Sequence, residues 1–306
     1  MEKQYSIEVS QLTKNFGQKC AVNGVDISIP RGVVCGFLGP NGSGKTTILR
    51  MLCGLLTPTA GHGTCLGYDI ITESMQIKKI VGYMPQQFSL YNRLTVLENL
   101  TFIARLYNMP DRNNKVAAVI EEMGLQHYKN HLANALSGGY KQRLSLAAAI
   151  VHEPKILLLD EPTAGVDPHS RQEIWDKLQQ FAKSDITVLV STHYMDEAER
   201  CHYLTYLAYG QLIAAGTVQA VIDHCGLTTW LALGNNVMCL AEKLKQIPAI
   251  DQVIERGNEL RVSNKNALIL EEAIKPYLNE NYTWRPVRTT LEDVFIYMMK
   301  SRQDTR

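Results

Sequence analysis

The sequence predicts an α/β protein with a mostly parallel sheet covered by helices, followed by a smaller α+β domain. Three observations carry this expectation. Short, continuous apolar runs at Val33–Leu38, Ile156–Leu159 and Ile186–Val190 have the character of strands buried on both faces. Helical periodicity alternates with them: Ile48, Leu49, Leu52, Leu55 and Leu56 follow the first run, and Ile174, Trp175, Leu178 and Phe181 lie between the second and third. Between the first run and its helix stands the glycine-rich turn Gly39-Pro40-Asn41-Gly42-Ser43-Gly44-Lys45-Thr46. Alternation of this kind favours parallel strands joined by crossover helices.

That turn has the G-x-x-x-x-G-K-[ST] form of a phosphate-binding loop. Strand, glycine turn and helix N-terminus together aim several backbone N–H groups and the positive end of the helix dipole at one point. Its glycines let the backbone approach an anion closely. Lys45 can reach the β- and γ-phosphates of a nucleoside triphosphate, with Thr47 on the first helical turn, and the Thr46 hydroxyl suits a magnesium ion.

Composition narrows the classes further. The 306 residues are 45% hydrophobic, enough for a substantial core and two domains. The formal net charge of +1, from 31 basic and 30 acidic residues, comes without a polybasic run, so no nucleic acid partner is expected. Seven scattered cysteines form no Cys-x-x-Cys pair, which predicts reduced thiols rather than disulfides or a zinc site. Met1–Tyr5 lacks the apolar core of a leader, and no stretch reaches the roughly 20 apolar residues of a membrane span. Any membrane part is expected to come from another chain.

Along the chain, residues 5–30 read as short strands, with Val25, Ile27 and Ile29 alternating with Asp26 and Ser28. The helix after the phosphate loop is expected to run from Thr47 to Leu56, stopped by Pro58. A strand at Ile80–Met84 ends at Pro85-Gln86. Thr95-Val96-Leu97-Glu98 has the form of a capping box and opens a helical insertion that continues to Met123 and Gly124. A helix from the Ser137 region to His152 completes a helical subdomain of about 88–153. Beyond residue 226 the order β-α-β-β-α-β predicts a ferredoxin-like domain, 226–306, with a last helix capped by Thr290 and Asp293. The first domain is then 1–225.

Further motifs surround the phosphate loop in sequence. Leu136-Ser137-Gly138-Gly139 introduces a helix, again a structure suited to an anion. Asp160 and Glu161 end a buried strand, and Ser191-Thr192-His193 ends the next. With Gln86 and the Ala164-Gly165-Val166-Asp167 loop, the order and spacing of these motifs, over about residues 5–225, resemble an ABC transporter ATPase. The resemblance implies a P-loop NTPase cassette that binds ATP and Mg2+. Phe16 matches the aromatic residue that stacks on adenine, and Gly39 to Thr47 would hold the phosphates. Gln86 and Asp160 would complete the magnesium shell begun by Thr46. Glu161 would polarise the attacking water, His193 would contact the γ-phosphate and hold Glu161, and Lys45 would assist. Ser137, Gly138 and Gly139 would contact ATP held by a second cassette, so two chains would sandwich two nucleotides, with Asp167 communicating between the sites. Tyr140 departs from the family pattern, which often has glutamine there.

The resemblance also implies a separate membrane-spanning permease subunit and a location on the cytoplasmic face of the plasma membrane. Phe88, Leu90, Tyr91 and Leu94, with Asn92 and Arg93, form an aromatic and aliphatic cluster suited to a partner helix or to packing on the insertion. Thr289–Phe295 resembles the ending of ATP-binding subunits of bacterial exporters of the drug, lipid or polysaccharide type. The alternative, an ABC ATPase acting on the ribosome or DNA, usually brings paired cassettes, a long coiled coil or zinc cysteines. This sequence has a single cassette, no heptad run and no Cys-x-x-Cys.

Overall fold

A computed structural model describes residues 5–278 and 281–303, with no account of side chains in 301–303. The first four residues, read above as lacking a leader's apolar core, lie outside the described residues. Contacts divide the chain into Met1–Ala215 and Gly216–Arg306. The helix Val218–Cys225, which the sequence reading left with the first domain, therefore groups with the second.

In the first unit, β1 (Tyr5–Phe16) and β2 (Lys19–Pro30) pair antiparallel. They are two long strands rather than several short ones. Bulges explain the misreading: the register shifts between Val9 and Leu12, where Gln11 takes a φ of 52° and its N–H donates to Asp26 Oδ1 at 2.7 Å. Apolar alternation survives in β2, with Val25, Ile27 and Ile29 buried and Asp26 and Ser28 exposed. β3 (Val34–Leu38), fully buried, leads through the phosphate loop into α1 (Lys45–Leu52). This helix ends four residues earlier than Leu56, because Gly54 at a φ of 68° turns the chain and lets Leu55 and Leu56 N–H both reach Arg50 O. Pro58 is not what stops it. β4 (Ala60–Cys65) and β5 (Tyr68–Asp69) complete a sheet of order β2-β1-β4-β5.

α2 (Ser74–Ile80), unforeseen, precedes β6 (Val81–Met84). The insertion carries α3 (Val96–Leu106), α4 (Arg112–Glu122) and α5 (Gly138–Ile150). The Thr95 capping box forms: Glu98 N–H donates to Thr95 Oγ1 at 3.1 Å and Thr95 N–H to Glu98 Oε2 at 2.8 Å. Such a cap contributes about 1 kcal/mol. β7 (Ile156–Asp160), α6 (Pro168–Lys183), β8 (Thr187–Thr192), the short α7 (Met195–Ala198), β9 (Tyr203–Ala208) and β10 (Gln211–Gly216) follow. The second sheet runs β10-β9-β3-β8-β7-β6, and every pair from β9 to β6 is parallel. β7 and β8 are buried at every residue, as their unbroken apolar runs require. Their C-terminal ends stand beside that of β3, which places the phosphate loop, Asp160 and His193 along one edge of the sheet.

The second unit opens with α8 (Val218–Cys225), then β11 (Thr228–Gly234), α9 (Val237–Leu244), β12 (Gln252–Arg256), β13 (Glu259–Asn264), α10 (Ala267–Ile274), β14 (Tyr282–Val287) and α11 (Leu291–Gln303). The element order is the one expected, and the sheet is antiparallel in the order β12-β13-β11-β14. Thr290 caps α11: Asp293 N–H donates to Thr290 Oγ1 at 3.2 Å and Thr290 N–H to Asp293 Oδ2 at 2.7 Å. The fully buried Asp293 carboxylate also receives Arg261 Nη2 at 2.7 Å and Nε at 2.9 Å, fastening the helix to β13.

Candidate active site

The phosphate loop is shaped by two close approaches. A Cβ on Gly39 would meet Leu207 O at 2.1 Å, and one on Gly44, whose φ is 102°, would meet Ala21 O at 2.8 Å. Neither site admits another residue without displacing backbone. The β9–β10 turn, which the sequence did not announce, braces the loop: Gly210 N–H donates to Ser43 O at 3.2 Å and Asn23 N–H to Gly210 O at 2.8 Å.

Lys45, 5% exposed, donates from Nζ to Gly39 O at 2.7 Å and Pro40 O at 3.0 Å. Burial pushes its pKa down, and the Glu161 and Asp160 carboxylates oppose that shift. Thr46 Oγ1 donates to Asp160 Oδ2 at 2.7 Å, while Ser191 Oγ donates to Asp160 Oδ1 at 2.6 Å. Ser191 Oγ in turn accepts from Glu161 N–H at 2.9 Å. One hydroxyl thus ties the carboxylate of Asp160 to the backbone of the next residue.

Glu161 has a φ of 49°, a left-handed conformation that costs a non-glycine residue on the order of 1–3 kcal/mol. It swings the side chain off the end of β7. Gln86 Nε2 donates to Glu161 Oε2 at 3.0 Å, and His193 Nδ1 lies 3.4 Å from Glu161 Oε1. Gln86 therefore stands against Glu161 here.

Ser137 is exposed as the N-cap of α5, without a side-chain capping bond. Gly138 and Gly139 face the loop after Glu161: a Cβ on Gly138 would lie 3.6 Å from Gly165 O, and one on Gly139 3.2 Å from Ser170 Oγ. Asp167 caps α6, accepting Ser170 N–H at 3.0 Å, which holds its carboxyl below the usual range. Tyr140 turns onto Tyr128, with ring centroids 4.1 Å apart, and Arg143 covers its ring at 5.3 Å. Phe16 ends β1 half-exposed, with Lys14 Nζ 5.4 Å from the ring centre. The structure thus brings Lys45, Thr46, Asp160, Glu161, Gln86 and His193 together and sets the Ser137 turn beside Gly165 and Ser170.

The donors suit a magnesium nucleotide. Ser43 Oγ is buried without a hydrogen-bond partner inside the loop, and the first-turn N–H groups of α1 have no intrahelical acceptor. Among the described residues no three His, Cys, Asp or Glu side chains converge as a metal cage. Magnesium needs none, since it keeps waters and phosphate oxygens and takes one or two protein oxygens. Thr46 and Asp160 offer those.

Several supporting residues on helices, Asn99 on α3, Arg171 on α6 and Glu197 on α7, gave no sequence signal. Thr163 Oγ1 and Thr192 Oγ1 both donate to the buried Glu197, at 2.5 and 2.6 Å. Arg171 lies over Tyr194 at 4.5 Å. The loop near residue 90 is ordered by buried Asn99, which accepts Tyr91 N–H at 2.9 Å and donates to Tyr91 O, Leu94 O and Thr95 O. Tyr91 remains exposed, edge-on to Phe102 at 5.2 Å.

Residues 22–164 match the family model described as ABC transporter. The chain is 45% identical over 213 residues to a probable multidrug ABC transporter ATP-binding protein, YbhF, of Escherichia coli. That match covers 69% of this chain but only 37% of the relative, so the chain spans well under half of its length. A Nod factor export ATP-binding protein of a Rhizobium species is 35% identical over 295 residues, covering 95% of this chain and 96% of the relative. Among solved structures, the dimeric ATP-binding cassette MJ0796 in a post-hydrolysis state with ADP and phosphate aligns with a TM-score of 0.64. It is 28% identical and covers 69% of this chain and 98% of its own.

Proposed function

The chain belongs to the ABC transporter ATP-binding proteins, and on that premise we propose that it hydrolyses ATP, as a pair of copies, to drive a separate membrane-spanning exporter. The observation that carries the hydrolytic reading is the placement of Glu161 between Gln86 and His193, next to the Thr46–Asp160 pair. A carboxylate held at a phosphate loop by two flanking donors is a general base in position.

ATP would enter with its phosphates on the loop from Gly39 to Thr47 and its adenine against Phe16. Lys45 Nζ would exchange the Gly39 and Pro40 carbonyls for phosphate oxygens. Thr46 and Asp160, with Gln86 nearby, would hold a magnesium ion, which would supply positive charge against the phosphates. Glu161 takes a proton from water as its oxygen bonds to the γ-phosphorus. The bond from that phosphorus to the β–γ bridging oxygen breaks, and ADP and phosphate leave. His193 orients Glu161 and meets the γ-phosphate.

Ser137 and Gly138, exposed at the start of α5, with Gly139 beside them, supply the second copy's half of each site. The dimeric cassette MJ0796 supports that arrangement. A cavity of about 240 Å³, lined among others by Tyr83, Pro85, Leu90, Ile103 and Tyr107, offers the membrane partner a groove beside Gln86. Among the described residues no helix is long and apolar enough to cross a membrane. The exporter assignment follows the multidrug and Nod factor export relatives, and the chain would sit at the cytoplasmic membrane face.

The test is Glu161→Gln. The variant should retain ATP, accumulate as a nucleotide-bound dimer in size-exclusion chromatography, and lose turnover by about 10²–10⁴-fold. Turnover at the parent rate would remove Glu161 from the chemistry. Co-purification with a membrane chain in detergent supports transport, whereas co-purification with ribosomes or DNA would replace it.

A further inference from the structure

We propose that Glu197 is a positioning residue that fixes the separation of Glu161 and His193. This rests on the reading of that pair given above. The β7–β8 ladder stops at the pair Asp160↔Ser191, so Glu161 and His193 both lie beyond its hydrogen bonds. Glu161 N–H still reaches Ser191, and Thr192 still pairs with Leu38 of β3, but His193 and the turn after Glu161 lie beyond both ladders.

Glu197 fills that gap. Its carboxylate, 1% exposed, accepts from Thr163 Oγ1 with one oxygen and from Thr192 Oγ1 with the other. Thr163 lies two residues after Glu161, and Thr192 immediately precedes His193. Thr192 Oγ1 also accepts Tyr194 N–H at 3.0 Å, so both flanks of His193 are held. From α6, Arg171 places Nε 3.7 Å from Glu197 Oε1 and its guanidinium over Tyr194, whose ring lies 4.1 Å from that of His193. A carboxylate accepts only, with two oxygens, and here each oxygen is committed to a different strand end. Withdrawing such a group from water is costly, and the cost is offset by fixing two loops that must meet.

The experiment measures ATP turnover of the full chain. Glu197→Gln keeps the shape but removes the charge and one acceptor, so one threonine hydroxyl must turn round to accept from the amide, and a charge-assisted bond is exchanged for a weaker neutral one. Expected is a fall in kcat on the order of 10²-fold, as for a misplacement of about 1 Å, with KM for ATP unchanged. In a His193→Ala background the same substitution should cost nothing further, because residues that act as a unit are not additive. If Glu197→Gln fails to fold, Thr163→Val against Thr163→Ser gives the same reading: Val loses turnover and Ser, which keeps the hydroxyl, restores it.

Parent turnover in Glu197→Gln overturns the proposal. So does an equal loss in both backgrounds together with a lowered Tm, which marks a merely structural role, or Thr163→Val and Thr163→Ser behaving alike. An inactive Glu161→Gln with a fully active Glu197→Gln sinks this inference alone. An active Glu161→Gln sinks the hydrolytic reading beneath it.

Discussion

The hydroxyl of Thr46 donates to Asp160 Oδ2 at 2.7 Å, joining the first turn of α1 to the end of β7 across 114 positions of sequence. Thr46→Val keeps the shape and deletes that donor. Loss of a hydrogen bond to a buried carboxylate costs about 1.5–3 kcal/mol. ATP turnover should fall sharply while Thr46→Ser retains most of it, measured as kcat over a magnesium titration.

Tyr140 packs its ring, tilted by 39°, against Tyr128 of its own chain. Tyr140→Gln should therefore leave turnover within a few-fold of the parent and cost about 0.5–1.5 kcal/mol of stability in urea unfolding, the range for an aromatic pair. A larger loss of turnover than of stability would place Tyr140 in the chemistry.

His152 stacks under Tyr107 at 3.9 Å, and its Nε2 lies 3.2 Å from Val81 O. Burial pushes its pKa below 6.5, and the Val81 carbonyl opposes that only in part. The folded chain keeps the ring neutral where the unfolded chain takes up a proton, so stability falls as pH drops through about 6.5. His152→Phe keeps the stack and removes the proton. Its urea midpoint should vary less between pH 7 and 5.5 than the parent's. Equal slopes would contradict this.

Burial pushes the thiols of Cys35 and Cys65 up to about 12 and that of Cys53 up to about 11. Only Cys20 and Cys239 are exposed. A thiol reagent at pH 8 should label those two quickly and the remaining five on the timescale of unfolding, as mass spectrometry would show. The unfolded thiols ionise near pH 9 and the buried ones do not, so stability should decline above that pH.

Arg261 and Asp293 form a buried pair in the second unit. Asp293→Ala leaves an uncompensated guanidinium and should cost about 3–5 kcal/mol, whereas joint replacement by apolar residues of similar size should cost far less. Thermal unfolding of the single and double variants tests the difference.

The sheet strands and the site were legible where one local rule governed. Asp160 and His193 sit at the ends of strands whose unbroken apolar runs mark them as central, and Lys45 and Thr46 open the helix that follows the glycine turn after another such run. The box at Thr95 and the cap at Thr290 were legible because each is satisfied within four residues. What stayed hidden depends on distant partners. β9 and β10 brace the phosphate loop through Leu207 and Gly210, a relation with no period in the sequence. The long β1–β2 pair is masked by bulges at Gln11. Glu197 looks like any acidic residue on a short helix until Thr163 and Thr192 are seen to converge on it. Gln86 was expected beside the metal, and only the backbone turn at Glu161 shows which carboxylate it faces.

The fastening of α11 by Asp293 bears on how loss-of-function variants of this chain are sorted. A genetic screen for inactive alleles would return Asp293 beside Lys45, although one fastens a helix within the second unit and the other is proposed to meet phosphate. Immunoblots of the soluble fraction would tell them apart, since the first empties the cell of protein and the second leaves it full of an idle one.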